Sequence, residues 1–337
     1  MKILFTADIH LQNWNDKKHD SSGNPLKLIE IINTLKQMAS YYREHNLDLF
    51  VIGGDLGHLR GIIHARSFLL FKDFIEENPD IQFRIIHGNH DITSRSDNDD
   101  TSVISLFDSH VNVKTYINPE VDDIITYLPW SNDITKKLHE VLPNKILISH
   151  VALSEASTSS GLSIRTGVSL KDFSKFDLVL LGDYHKPQML EINNTKVYYS
   201  GSPIQLTRGE AGEEKRFLVI DSDTLEVKSI PTEGYRKYIC LDYTKETDVN
   251  SFKDNLEQLS VTDDYLVVKT DIKDIPKEIK DIINENTIKL VDQSEDDYEI
   301  RGITSSMNIT DQCLKWLEIK KIPSVERYMG VLSEIDM

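Results

Sequence analysis

Short apolar runs that stop abruptly in polar residues organise residues 1–200. Lys2-Ile-Leu-Phe-Thr-Ala7 runs into Asp8-Ile9-His10. Leu49-Phe-Val-Ile-Gly-Gly54 runs into Asp55, with His58 close behind. Arg84-Ile85-Ile86 passes through His87-Gly88 into Asn89-His90-Asp91. Ile146-Leu-Ile-Ser149 ends in His150, and Leu178-Val-Leu-Leu-Gly182 ends in Asp183-Tyr184-His185. Val, Ile and Leu runs of this length predict buried strands. A buried strand followed at once by a carboxylate, carboxamide or imidazole delivers that group to a sheet's carboxyl edge, where open α/β sheets carry their chemistry.

Helical patterns separate these runs. Residues 12–24 are a polar loop, and Pro25 suits the first helical position. Leu28, Ile29, Ile32, Leu35, Met38, Ala39 and Tyr42 then follow at helical spacing. A second helix is expected over about 62–77, with Phe68, Leu69, Phe71, Phe74 and Ile75 apolar. Strand, helix, strand, helix, strand is the α/β signature, with crossovers long enough for parallel pairing. Short strands are expected near 111–117, 124–128, 196–200 and 216–221, with a helix over 132–141. Residues 93–102 and 154–161 read as polar loops.

From Tyr235 onward the grammar changes. Ile239-Cys240-Leu241, a helix at 248–259, Tyr265–Thr270, a helix at 276–284 and Ile288–Val291 alternate without ending in polar clusters. This predicts a small α/β unit with no chemistry of its own. The last residues predict two helices, over 308–319 and 323–335. The second places Val325, Tyr328, Met329 and Leu332 on one stripe, to dock on its own domain or to bind a partner. Three regions result: 1–232, 233–304 and 305–337.

Charge narrows the choice of partners. The 337 residues carry a formal net charge of −17. Residues 233–304 hold 10 Lys+Arg against 18 Asp+Glu, the densest acidic excess. Phosphate backbones are held by Lys and Arg, so a nucleic-acid substrate would need a local basic patch, a metal or a basic partner. Cys240 and Cys313 have no disulfide or zinc-site spacing. No apolar run approaches the roughly 18 residues of a membrane span. A soluble cytoplasmic protein is expected.

Asp8, His10, Asp55, Asn89, His150, Asp183 and His185 together offer carboxylates, a carboxamide and imidazoles but no thiolate. That mixture suits Mn, Fe or Zn in a two-metal site and is nitrogen-rich for Mg alone. Two metals about 3.5–4 Å apart can share a carboxylate, polarise a phosphate and activate a water. Asp55 is the natural bridge, because its strand is expected between other ligand-bearing strands. Each motif alone is an ordinary polar pair; the ordered series at successive strand ends is what points to a metal centre.

The series resembles the calcineurin-like metallophosphoesterase superfamily, and within it the SbcD family of DNA-repair nucleases; the small size and the Lys/Asn/Ile-rich composition resemble that family's phage branch. The resemblance is carried by Thr6-Ala-Asp-Ile-His10, Gly53-Gly-Asp-Leu-Gly-His58 and His87-Gly-Asn-His-Asp91. Leu181-Gly-Asp-Tyr-His-Lys-Pro-Gln188 and Tyr199-Ser-Gly-Ser-Pro-Ile-Gln205, with Gly209-Glu210, complete it. It covers roughly residues 1–215. The resemblance implies an α/β fold (α+β by layer): a double β-sandwich core flanked by helices, a small α/β cap and C-terminal helices. This replaces the single parallel sheet of the raw pattern.

The resemblance also implies residue roles. Asp8, His10, Asp55 and His185 would hold one divalent ion, and Asp55, Asn89, His150 and Asp183 the other, with manganese expected and magnesium the alternative. His90 would face the scissile phosphate and His58 would support it. The implied activity is DNA cleavage in exonuclease and endonuclease modes. The implied partners are an SbcC-type coiled-coil ATPase, bound through the C-terminal helices, and a second copy paired through the nuclease domain. A phage origin would place the protein in the host cytoplasm. One position departs from the pattern: the family reads Gly-His-x-His where this chain has Gly182-Asp183-Tyr184-His185. Aspartate can still ligate Mn, but it adds negative charge and can retune metal preference. A phosphoesterase for small nucleotides or phosphoproteins, and a decayed scaffold subunit, are the competing readings.

Overall fold

The computed structural model describes residues 1–14, 18–93, 101–159, 168–244, 246–270, 275–282 and 288–292. The chain divides into two compact units, Met1–Ile239 and Cys240–Met337.

The first unit runs β1 (Lys2–Thr6), α1 (Leu26–Glu44), β2 (Leu49–Gly53), α2 (Ala65–Glu76), β3 (Phe83–Ile86) and β4 (Val113–Tyr116). It continues through β5 (Glu120–Asp122), β6 (Ile125–Leu128), α3 (Ile134–Glu140), β7 (Ile146–His150) and β8 (Leu178–Gly182). The last strands are β9 (Gln188–Ile192), β10 (Thr195–Tyr199), β11 (Arg216–Asp221) and β12 (Glu226–Pro231). They form two six-stranded mixed sheets, ordered β12-β11-β1-β2-β3-β4 and β5-β6-β7-β8-β10-β9. β1, β2, β3 and β4 pair in parallel, as do β6, β7, β8 and β10.

Strand alternation explains why the runs are apolar throughout. Ile3, Phe5, Val51, Ile146, Ile148, Leu178 and Leu180 fill the layer between the sheets. Their neighbours Leu4, Phe50 and Ile52 turn outward onto the helices of the first sheet. Leu147, Val179 and Leu181 do the same behind the second sheet. A strand buried on both faces has no polar face to show in its sequence. Each fully buried Val, Leu, Ile or Phe contributes roughly 1.5–3 kcal/mol, which supports the strained loops at the strand ends.

Two helix starts differ from expectation. Pro25 precedes α1 in an extended conformation (φ −55°, ψ 129°), because a bridge to His19 holds it there. α2 begins at Ala65 rather than near 62. Residues 59–62 instead close a tight turn, bridging Leu59 to Ile62, and Gly61 N–H donates to the His90 carbonyl at 3.0 Å.

In the second unit β13 (Tyr238–Tyr243), β14 (Tyr265–Thr270) and β15 (Ile288–Asp292) form one sheet, with α4 (Val249–Ser260) and α5 (Lys277–Ile282) between them in sequence. Asp248 caps α4, accepting from Ser251 N–H at 2.8 Å. Phe252, Leu256, Leu266, Val268 and Ile279 are buried. Among the described residues, no helix is long and apolar enough to cross a membrane.

Candidate metal centre

The turns after β1, β2, β3, β7 and β8 converge on one site. Backbone pairing continues past the strand ends: Asp8 N–H donates to Gly54 O at 3.1 Å, His10 N–H to Asp55 O at 3.0 Å and Leu11 N–H to Leu56 O at 2.8 Å. Asp8, His10, Asp55 and Asp183 all have positive φ, at +55°, +53°, +51° and +102°. Non-glycine residues in that region are uncommon, and clusters of them mark functional sites. Glycine makes the close approach possible. A Cβ on Gly88 would lie 2.1 Å from an Asp55 carboxylate oxygen, and one on Gly54, at φ +95°, would lie 2.3 Å from His150 Nδ1.

Asp55 stands at the centre, with its two oxygens facing opposite ways. Oδ2 lies 3.6 Å from His10 Nε2 and 3.9 Å from His90 Nε2. Oδ1 lies 3.4 Å from His150 Nε2 and accepts from His90 N–H at 2.9 Å. One half of the site is nitrogen-rich: His10 Nε2 and His185 Nε2 approach to 2.9 Å, and Asp8 groups with both. The other half is oxygen-rich: His150 Nε2 faces Asn89 Oδ1 at 3.1 Å and Asp183 Oδ1 at 3.7 Å. Asp183 N–H donates to both Asp8 oxygens, at 3.1 and 3.2 Å.

The ring nitrogens fix the sense of this geometry. His150 Nδ1–H donates to the Gly53 carbonyl at 2.9 Å, so Nε2 is the nitrogen turned to the oxygens of Asp55, Asn89 and Asp183, which accept its proton in the metal-free site. His185 Nδ1–H donates to Glu210 Oε1 at 3.1 Å, so its Nε2 presents a lone pair to His10. Imidazole nitrogens, a carboxamide oxygen and carboxylate oxygens that converge and are bridged only by protons are a cation's ligand set, and the residues fit a divalent metal.

The charges respond to that crowding. Burial opposes charge on His150, but Asp55, Asp8 and Asp183 outweigh it and raise its pKa well above the histidine range. Burial pushes Asp8 up to about 6, against the pull of His150 and His185. Burial would also raise Asp55, yet His150, His10 and His90 hold it below the carboxylate range. Burial and Asp55's charge raise Asp183, against the pull of His150. Burial and the neighbouring imidazoles of His185, His90 and His58 lower His10, against Asp55's attraction. Protons occupy ligand atoms that a metal would displace.

Every proposed ligand and both proposed supporting histidines thus lie together. His90 Nδ1–H donates to His58 O at 2.5 Å, and the two rings stack with centroids 5.7 Å apart. The proposed partner-binding residues Val325, Tyr328, Met329 and Leu332 lie outside the described residues. Sequence reasoning assigned no role to Asp91, Glu210 or Trp14. The buried Asp91 carboxylate accepts from Leu56, Gly57 and Gly88 N–H at 3.2, 2.7 and 2.8 Å, locking two ligand loops together. Burial and Asp55's charge push it up to about 7 against those donors. Trp14 lies against His58, ring centroids 5.4 Å apart. Asp91 had a legible signal, a second carboxylate in the Gly-Asn-His-Asp turn; Trp14 had none.

Two facing mixed sheets with candidate metal ligands at their strand ends are the arrangement expected of a metallophosphoesterase. The calcineurin-like phosphoesterase family profile matches residues 1–187, and the chain belongs to that family. It is 28% identical to a protein named as the SbcD component of the SbcCD nuclease from Staphylococcus epidermidis, over 66% of this chain and 66% of that protein. The chain thus spans just under two thirds of that relative's length. Among solved structures it is similar to an archaeal phosphodiesterase (14% identity, 68% of this chain and 99% of that one, TM-score 0.38). It is also similar to a dimetal phosphatase from Danio rerio (10% identity, 65% and 91%, TM-score 0.42).

Proposed function

We propose that this chain is a divalent-metal-dependent DNA nuclease, the nuclease subunit of an SbcCD-like recombination and repair complex, acting in exonuclease and endonuclease modes. The observation that carries this reading is the division of Asp55: Oδ2 faces His10 and Oδ1 faces His150, as a carboxylate shared between two cations requires. Asp8, His10, Asp55 and His185 would hold one ion, and Asp55, Asn89, His150 and Asp183 the other. Manganese is the expected ion and magnesium the alternative. Such a pair, when bound, supplies Lewis acidity at a phosphate and a nucleophilic water at neutral pH.

The chain's own residues orient and exchange protons. His90 spends Nδ1–H on the His58 carbonyl, which leaves Nε2 as its working nitrogen. The His90 side chain is 35% exposed, against 3% for Asp55, so it can meet a substrate. It would give a proton to the leaving oxygen or stabilise charge there. His58 braces the ring by stacking.

DNA as substrate is supported by the Tyr199–Gln205 segment with Glu210 and by the name of the curated relative. The net charge of −17 fits a nuclease that depends on a partner to bring DNA in. An SbcC-type ATPase bound by residues 305–337, a cap over residues 233–304 and a homodimer through the nuclease domain belong to the same reading. Metal analysis and cleavage of linear DNA with Mn and with Mg test it. About two ions per chain and metal-dependent cleavage are expected. Turnover of bis(p-nitrophenyl) phosphate with DNA untouched would replace the nuclease reading by a small-phosphoester hydrolase.

A further inference from the structure

The group that holds His185 lies outside the ligand set. Glu210 is 1% exposed, and Lys215 beside it is 1% exposed. Glu210 Oε1 accepts from His185 Nδ1 at 3.1 Å, and from Thr207 N and Thr207 Oγ1, each at 3.2 Å. Oε2 receives Lys215 Nζ at 2.8 Å, Ser202 Oγ at 3.0 Å and Leu206 N at 3.1 Å. Lys215 Nζ also donates to the His185 carbonyl at 2.8 Å. Glu213 Oε2 is a second acceptor for Lys215 Nζ, at 2.7 Å, so the backbone and ring of His185 are fixed by the buried Lys215 and Glu210 within a three-membered ion cluster.

Turn capping accounts for part of this. Thr207 and Glu210 form a capping box on a single 3₁₀ turn. A cap calls for the contacts with Thr207; it does not call for a buried lysine, Ser202 or a histidine ring on the same carboxylate. A carboxylate that accepts from the far nitrogen of a ligating imidazole selects its tautomer, aims its free nitrogen and raises its basicity. The free nitrogen here is His185 Nε2, which meets His10 Nε2 at 2.9 Å.

We propose that Glu210, backed by Lys215, is a positioning residue for His185: it fixes the Nδ1–H tautomer and sets how tightly the nitrogen-rich half takes a divalent cation. The inference rests on the metal-centre reading above and extends it to a residue outside the ligand set.

The test is Mn²⁺ titration by calorimetry on the full chain, comparing wild type, Glu210→Ala, Glu210→Gln, His185→Ala and Glu210→Ala/His185→Ala. ¹⁵N-histidine spectra of the metal-free proteins report the His185 tautomer. Glu210→Ala should weaken the nitrogen-rich site about 10- to 100-fold and mix the tautomers. Glu210→Gln, which keeps the shape and loses the charge, should fall between. In the His185→Ala background the Glu210 substitution should add no further loss, because it acts through that ring. Equal affinity in wild type and either Glu210 variant overturns the inference, as does the same loss with His185 absent. Should Glu210→Ala fail to fold, the comparison of Glu210→Gln with wild type decides alone. A wild type that binds no divalent metal would sink the metal-centre reading itself, an outcome distinct from two ions bound with unaltered affinity in the variants.

Discussion

The two halves of the candidate metal centre are built from the same fold element, a strand end followed by a tight turn, yet they differ in chemistry. The half after β1 and β8 gathers the imidazoles of His10 and His185 beside Asp8. The half after β3 and β7 gathers Asn89, His150 and, across from β8, the carboxylate of Asp183. Imidazole-rich sites suit late first-row ions, whereas carboxylate and carboxamide oxygens suit Mn and Mg. One site therefore presents unequal ligand sets on its two sides. Asp55, with one oxygen turned to each, joins them. The asymmetry follows largely from one residue, because a histidine at 183 would make both halves nitrogen-rich.

Asp55→Ala is the largest break available. It removes the atoms common to both halves and the acceptor of His90 N–H. Turnover should drop by about 10³-fold or more, beyond the loss of a single electrostatic donor, and calorimetry should show both Mn²⁺ sites weakened. The double sandwich is held by its apolar layers, so the far-ultraviolet spectrum and thermal transition in chelator should persist. Weakening of only one site would show that Asp55 is no bridge and that the halves are independent.

How legible was this in the sequence? The five ligand-bearing strands were, because β1, β2, β3, β7 and β8 are interior strands whose runs are mostly apolar, with exceptions such as Arg84 in β3 and Ser149 in β7. The strands that escaped notice, β5, β9 and β12, all lie at sheet edges. Exposed residues such as Glu191, Glu226 and Lys228 interrupt their pattern. The ligands were visible as residue types at strand ends. Their partition into halves came from the family resemblance alone, since His10 and His185 meet through the facing of the two sheets, which no local pattern encodes. Asp91 acts through contacts with backbone N–H groups, and these leave no trace in residue type beyond the carboxylate itself.

Asp183→His makes the halves alike. The imidazole would replace a carboxylate whose Oδ1 lies 3.7 Å from His150 Nε2 and would remove one negative charge. Preference for Mg over Zn or Mn at the oxygen-rich half should fall by about tenfold, the equivalent of about 1.4 kcal/mol. Competition titration of Mg against Mn in wild type and variant reads this directly. An unchanged ratio would mean that Asp183 does not ligate and that the asymmetry lies in Asn89 alone.

The smallest expected effect is on acidity, and it separates the metal-free site from the loaded one by sign. Burial raises Asp8 from 3.8 to about 6, with His150 and His185 opposing. A carboxyl whose pKa is higher in the folded than in the unfolded chain binds its proton better when folded. Asp8 therefore stabilises the metal-free fold increasingly as the pH falls from about 6 towards 4, and that contribution is lost on returning above 6. Metal binding runs the other way, because the ion must displace the same proton. Lowering the pH from 6.5 to 5.5 should weaken Mn²⁺ uptake about threefold through Asp8 alone, with proton release visible in calorimetry across buffers of different ionisation enthalpy. Scanning calorimetry in chelator should show Asp8→Asn abolishing part of the low-pH gain. If uptake instead strengthens on acidification, Asp8 is not a ligand that a cation must deprotonate, and the nitrogen-rich half reduces to its two imidazoles and Asp55.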